Sequence, residues 1–455
     1  MAKAGSTVKR LAVVGGGWAG CAAALELARA GHQVTLFEAA RTLGGRARRV
    51  ERDGLKLDNG QHILLGAYTE TLRLLKLAGQ DAGALLLQLP LQMRYPDGSG
   101  GMDFVAPRWP APLHLAWALL RAKGLARADK VALVRFSSAM RWMGWRLYND
   151  CSVAELLARF DQTERLCRLM WVPLCLAALN TAPERASARV FINVLRDSLG
   201  ARRRSASDML LPKADLSALF PEAAARYLAA HGGAVRLGAK VGALAVQADK
   251  RWQLQTGEAA EVFDGVVLAT APAPAAGLLQ PLPVEPDLLA RLDAFEYEAI
   301  STCYLQYQPA LRLDLPFYAL VDLPQAGHWG QFVFDRGQLD AQQAGLLAVV
   351  ISAAGAATEQ GHAALAQAIA TQLAQVLQQP DLAQPLWTQV ISEKRATFAC
   401  TPDLARPGNA SGLAGLVLAG DYTALEDSAS HYPATIEAAV RSGAEAARVL
   451  RQQLS

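Results

Sequence analysis

Val8-Lys9-Arg10-Leu11-Ala12-Val13-Val14-Gly15-Gly16-Gly17-Trp18-Ala19-Gly20 is the stretch that decides the fold. The apolar run to Val14 predicts a strand, the glycines a turn, and the alanine-rich residues Cys21 to Ala30 a helix. The spacing is G-x-G-x-x-G. Gly15 makes the tight turn, Gly17 lets a pyrophosphate approach the backbone, and Gly20 lets helix pack on strand. The helix start at Trp18 and Ala19 then offers free N–H groups to the phosphates.

After Gly31 a second apolar run, Val34 to Phe37, stops at Glu38-Ala39. A carboxylate there accepts hydrogen bonds from both hydroxyls of an adenosine ribose and repels a 2′-phosphate. Arg41 and the pair Gly44-Gly45-Arg46 follow, then Asp58-Asn59-Gly60-Gln61-His62. An ordinary nicotinamide domain does not need this second segment. A stretched dinucleotide with an isoalloxazine at its far end does, so the expected ligand is FAD.

The far end of the chain agrees. Gly415 to Asp421 reads as an apolar strand closing in Gly420-Asp421, with Asp421 placed to accept a ribityl hydroxyl. Pro433 then suggests the start of a helix, and Ala434, Thr435 and Ile436 would set its positive end at the flavin pyrimidine. In the middle, a helix is expected from about Phe220 to Ala230. Asp264 to Pro272 reads as another strand that ends near the cofactor, with Ala269 and Thr270 beside it.

These segments resemble the flavin amine oxidase and phytoene desaturase superfamily along the full length: Gly15, Gly17, Gly20 and Glu38, then Arg41 to Arg46, then Ala419-Gly420-Asp421 and Ala434 to Gly443. Within it, Gly15 to Gly20, Thr35 to Arg48 and Leu57 to Tyr68 are most similar to the squalene-associated flavoproteins, the hydroxysqualene dehydroxylases. Ser430-His431-Tyr432-Pro433 departs from the smaller residues expected there. The resemblance implies an α/β fold in which a Rossmann-like FAD-binding domain of glutathione-reductase type (1–89, 208–282 and 396–455) is interleaved with an α+β substrate-binding domain (90–207 and 283–395). It also implies that backbone groups at Val241 bond adenine, although Val241 reads equally as a plain strand residue.

Composition suits a large enzyme with an apolar pocket: 455 residues, 52% hydrophobic, net charge +4. So mild a charge does not suggest nucleic acid. The six cysteines show no metal spacing and read as reduced thiols of a cytosolic protein. The basic, apolar N-terminus imitates a secretory signal, but cleavage before Cys21 would remove the phosphate loop. No stretch reads as a transmembrane helix, and Leu346 to Ile351 has the length of a buried strand.

Residues 108 to 146 hold eight cations against one acid, Asp129, with Trp109, Trp117, Trp142 and Trp145 interleaved. Leu113, Trp117 and Leu120 share one helix face. This describes either a helix lying in a membrane interface, on the inner face of the membrane, or a solvated basic face over core tryptophans. Arg202-Arg203-Arg204 reads as a loop.

The resemblance implies a long apolar isoprenoid substrate and reductive removal of an allylic hydroxyl by hydride from reduced flavin. Hydroxide leaves poorly, so a proton donor or a sheltered cation is needed. His62 is the first candidate donor, and His431 with Tyr432 the second; Trp171 or Phe334 could shelter a cation. Oxidative desaturation, amine oxidation and a non-catalytic prenyl-chain carrier are the alternatives on this fold. No second nucleotide loop is evident, so the electron donor, NADPH or a partner reductase, is unidentified.

Overall fold

The computed structural model describes residues 8–52, 54–201, 203–425 and 432–455. Five parallel strands form the sheet that carries the first glycine turn, in the order Ala234–Leu237, Gln33–Glu38, Arg10–Val14, Gly265–Leu268, Leu416–Leu418. Parallel strands need crossovers, and the first is the helix Trp18–Arg29. The strand Arg10–Val14 is apolar from Leu11 onward because it lies in the middle of the sheet, covered on both faces.

The last helix, Ile436–Leu454, crosses the first at a glycine. A Cβ on Gly443 would stand 2.1 Å from the Ala19 carbonyl oxygen, so only glycine permits this approach. The helix begins at Ile436 rather than at Pro433. Thr435 caps it, its hydroxyl accepting from the Ala438 N–H at 3.2 Å, and a threonine cap outranks a proline two residues upstream. Buried Glu437 ties the helix to the one at Thr69–Leu77, accepting from the backbone N–H of Thr71 at 2.9 Å and its hydroxyl at 2.7 Å.

A second sheet is antiparallel, ordered Phe317–Ala319, Phe332–Asp335, Leu346–Ser352, Tyr297–Gln306, Trp387–Phe398. Its two faces follow the period of two. Val333, Leu347, Val349 and Ile351 pack toward the helix His362–Val376, while Phe332, Phe334, Val350 and Ser352 line a cavity. The strand Trp387–Phe398 carries this sheet past residue 395, and the chain re-enters the parallel sheet only at Leu416.

Helices including Leu113–Arg121, Arg127–Trp142, Val172–Leu179 and Ala188–Ser198 close the far wall of the cavity. The segment 108–146 thus holds two helices: the first ends at Arg121, Ala122 turns to extended ψ, and Gly124 at φ +76° lies in the link to the second. All six cysteines are free thiols, four of them buried. Among the described residues no helix is long and apolar enough to cross a membrane.

Candidate active site

The two glycine segments meet face to face. The Gly44 N–H donates to the Gly16 carbonyl at 2.8 Å, and Gly17 bridges Gly44 in parallel. Gly15 has φ +111°, and a Cβ there would lie 2.4 Å from the Ala269 carbonyl oxygen. A Cβ on Gly20 would lie 1.8 Å from the Gly15 carbonyl oxygen, so this glycine serves packing and does not line the cavity. Gly17 differs: its Cβ would meet nothing nearer than the Gly45 Cα at 3.8 Å. The protein itself leaves room there.

The helix behind this turn has no side-chain cap and no acid in its first turn. Its first N–H groups are therefore left to whatever anion sits before them. Glu38 is fixed at the strand end: its two carboxylate oxygens accept from the N–H groups of Gly16 at 2.6 Å and Ala40 at 2.7 Å. A carboxylate has about four acceptor sites, so capacity for ribose hydroxyls remains.

All this opens into one cavity of about 1310 Å³. Gly15, Gly17, Trp18, Ala19, Glu38 and Ala39 line it, as do Gly44, Gly45, Arg46 and Asn59 to His62. Val241, Ala269, Thr270, Gly420, Asp421, Tyr432 and Ala434 to Ile436 line it as well. Arg41 does not reach it and its side chain is exposed; of the two arginines beside the glycine pair, Arg46 is the one that lines the cavity. His431 lies outside the described residues.

Arg46 Nη2 donates to Asp421 Oδ1 at 2.6 Å and Nη1 to the Ala396 carbonyl at 2.8 Å. Asn59 Nδ2 donates to the Arg46 carbonyl at 3.0 Å. One Asp421 oxygen is therefore held by the arginine. His62 is half-buried, its Nδ1–H donating to the Gly60 carbonyl at 2.7 Å. Burial holds its pKa below the ordinary imidazole value; the Gly60 bond opposes this and the nearby Arg46 adds to it. Neutral His62 keeps its proton on Nδ1.

Three residues that line the cavity each carry a buried polar atom with no partner among the described residues: Thr270 Oγ1, Gln61 Nε2 and Tyr422 Oη. Native interiors rarely leave such groups unpaired. The open cradle at Gly17, the uncapped helix start behind it and the carboxylate of Glu38 fit the pyrophosphate and ribose of a dinucleotide. FAD fits this donor set.

Beyond the glycines the wall turns apolar. A short π-helical turn, Cys167–Trp171, rotates Met170 and Trp171 into the cavity, and Trp171 Nε1 is satisfied by Gln162 Oε1 at 2.9 Å. Its ring lies 4.9 Å from Phe136 and 6.1 Å from Phe191, all three on the wall. Phe334 stacks on Phe317 at 5.8 Å across the cavity edge of the second sheet.

Sequence reasoning missed Arg406. Buried in a loop, its guanidinium donates to the carbonyls of Asp421 at 2.6 Å, Thr423 at 2.7 Å, Tyr422 at 3.0 Å and Tyr432 at 2.7 Å. It also stacks over Phe398 at 4.9 Å. One side chain thus holds the end of the last strand against the approach to the last helix. No local motif marks it, because its acceptors are backbone.

A dinucleotide cradle that opens into a large apolar chamber defines a flavin-dependent oxidoreductase. Residues 18–451 match the family described as flavin containing amine oxidoreductase. The chain belongs to that family and is an FAD-dependent oxidoreductase. It is 31% identical to a hydroxysqualene dehydroxylase of Rhodopseudomonas palustris, over 96% of this chain and 97% of the relative. A zeta-carotene desaturase of Synechocystis sp. is 24% identical, over 97% of each chain. In three dimensions the chain is similar to cyclohexylamine oxidase from Brevibacterium oxydans, with TM-score 0.65 and 17% identity, over 98% of this chain and 99% of that one. At that identity the likeness shows the fold.

Proposed function

We propose that this enzyme converts an allylic triterpene alcohol, hydroxysqualene, to squalene. The observation that carries the reading is the continuity of the dinucleotide cradle with an aromatic-walled apolar chamber, about 1310 Å³ in all. The similarity to the Rhodopseudomonas palustris dehydroxylase, along nearly the whole of both chains, supports it.

When bound and reduced, FAD supplies a hydride equivalent. The alcohol carbon gains hydride and loses hydroxide, which leaves as water once a proton has been delivered to its oxygen. The chain's own contributions are positioning, exclusion of water and handling of that proton. Trp171, Phe136 and Phe334 present apolar and π surface, which favours positive charge at an allylic carbon while admitting little water. His62 and Tyr432 line the same cavity and are the candidates for moving the proton. Because neutral His62 carries its hydrogen on Nδ1, it donates from Nε2 only after taking a proton up there. Tyr432 stays a neutral phenol, its pKa raised chiefly by burial.

The test is anaerobic incubation of the purified protein with hydroxysqualene and chemically reduced flavin. Squalene formed in step with flavin reoxidation supports the reading. A yellow protein inert to this alcohol that instead reduces its flavin with a polyene precursor would be a desaturase.

A further inference from the structure

We propose that the helices Leu113–Arg121 and Arg127–Trp142 form a docking surface for an anionic lipid bilayer, with the cavity opening toward the membrane. The inference extends the reading above, in which the substrate is a bilayer-resident isoprenoid, but its test does not depend on turnover.

Three observations converge on this surface. Of the thirteen large apolar side chains exposed among the described residues, eight fall between 109 and 148. Leu113, Trp117 and Leu120 stand on one face of the first helix at 59%, 39% and 68% exposure. Val131, Val134 and Trp142 point outward from the second, Trp142 at 89%. Trp109 packs on Trp117 with ring centroids 4.8 Å apart, so the cluster is contiguous around the first helix. Exposed apolar clusters rimmed by polar groups mark interaction sites.

Its charge has one sign. The segment's one acid, Asp129, is 3% exposed and spent inside the fold, accepting from the Ala126 N–H at 2.7 Å and the Thr163 hydroxyl at 2.6 Å. Around the first helix Arg108, Arg121 and Lys123 are exposed. Arg127, Arg135, Arg141 and Arg146 are exposed on and after the second. Cations around exposed tryptophan and leucine suit anionic headgroups over acyl chains, and are a poor match for another copy of this cationic face.

The surface is also continuous with the cavity. Leu115, Leu119, Leu133 and Phe136, on the same two helices, line it. Ala116, Val134, Ser138 and Arg141 both line it and are exposed, which places an opening at this face. An isoprenoid leaving the acyl region would enter without crossing water.

Full-length protein is mixed with vesicles of phosphatidylcholine alone, or of phosphatidylcholine with phosphatidylglycerol, and sedimented. Binding is expected to the anionic vesicles and to weaken with salt. Lys123→Ser combined with Arg127→Ser should lower partitioning roughly twenty-five-fold, at about a factor of five per cation. Trp142→Ser should lower it roughly tenfold or more while melting like the parent. None of these three residues lines the cavity, so activity on detergent-dispersed alcohol should stay unchanged and activity on vesicle-borne alcohol should fall. Equal binding to neutral and anionic vesicles, or binding to neither, overturns the proposal. So does a dimer that Trp142→Ser dissociates while vesicle binding persists. If the detergent assay alone fails in the parent protein, the substrate assignment fails and the docking surface stands.

Discussion

Arg46 and Asp421, 375 residues apart in the chain, are joined by a 2.6 Å charged hydrogen bond on the wall of the cofactor cavity. The pair clamps the second glycine turn to the end of the last strand of the parallel sheet. The Asp421 side chain is only 8% exposed and that of Arg46 is 36% exposed. Arg46→Gln leaves a largely buried carboxylate uncompensated. The expected cost is about 1–3 kcal/mol, between that of an exposed pair and that of a fully buried one. Thermal melting and visible flavin absorbance per protein should both fall. An unaltered melt and colour would show that the pair does not hold the two segments together.

Gly17 and Gly20 should part company when each is changed to alanine. Gly20→Ala drives a Cβ into the Gly15 carbonyl oxygen, 1.8 Å away, and should unfold or strongly destabilise the chain even without flavin. Gly17→Ala has room in the protein, so the flavin-free fold should melt as the parent does. Its methyl group stands where a pyrophosphate would approach, so flavin should be lost. Comparing melts of the flavin-free proteins with flavin titrations checks both halves.

Asp58, next to the cavity-lining Asn59, is buried and accepts from the Leu216 N–H at 2.8 Å. Burial pushes its pKa up to about 7, against the pull of Arg336. A carboxyl whose folded pKa lies above its unfolded value binds more protons folded than unfolded between the two. Its contribution therefore favours the fold at low pH and is lost as pH rises from about 4 to about 7. Asp58→Asn keeps an acceptor for Leu216 and cannot ionise. The variant's melting temperature should fall less than the parent's across that window; parallel curves would refute the assignment.

Arg406→Met removes the donors that four carbonyls share. Leaving buried carbonyls unpaired costs about 1–3 kcal/mol each where water cannot replace the donor, so a loss on the order of 3 kcal/mol or more is expected. Chemical denaturation measures it. Arg406→Lys should recover only a fraction, because one ammonium cannot span the same fork.

His62 gives a pH signature. Its pKa is lowered by burial, so the form able to donate is populated only below the ordinary imidazole range. If it delivers the proton, turnover at saturating substrate should climb as pH falls, and His62→Phe should flatten that limb while keeping the flavin. A parent-like profile in His62→Phe transfers the role to Tyr432.

Much of the cofactor cradle was legible in sequence because its requirements are local. A turn at φ +111° and a helix start without a side-chain cap are properties of Gly15 to Ala19 and their neighbours. The strand at Leu346–Ser352 is legible from its length and the last helix from its composition; its start falls at Ile436 and not at Pro433 because the Thr435 hydroxyl caps it, a contact made only in the folded turn. Arg41 and Arg46 are both cations beside the glycine pair, and sequence does not show which of them turns inward.

The sequence by itself determined a dinucleotide-binding α/β fold and FAD, since glycine spacing and the carboxylate Glu38 encode backbone geometry and ligand chemistry over a few tens of residues. Only the tertiary structure decided which groups face one another across the chamber. It paired Arg46 with Asp421, set Arg406 on four carbonyls, turned Trp171 inward and Trp142 outward, and raised the pKa of Asp58. Each of these depends on burial and on partners brought from distant segments, and desolvation is a property of the packed molecule that no local stretch of residues carries.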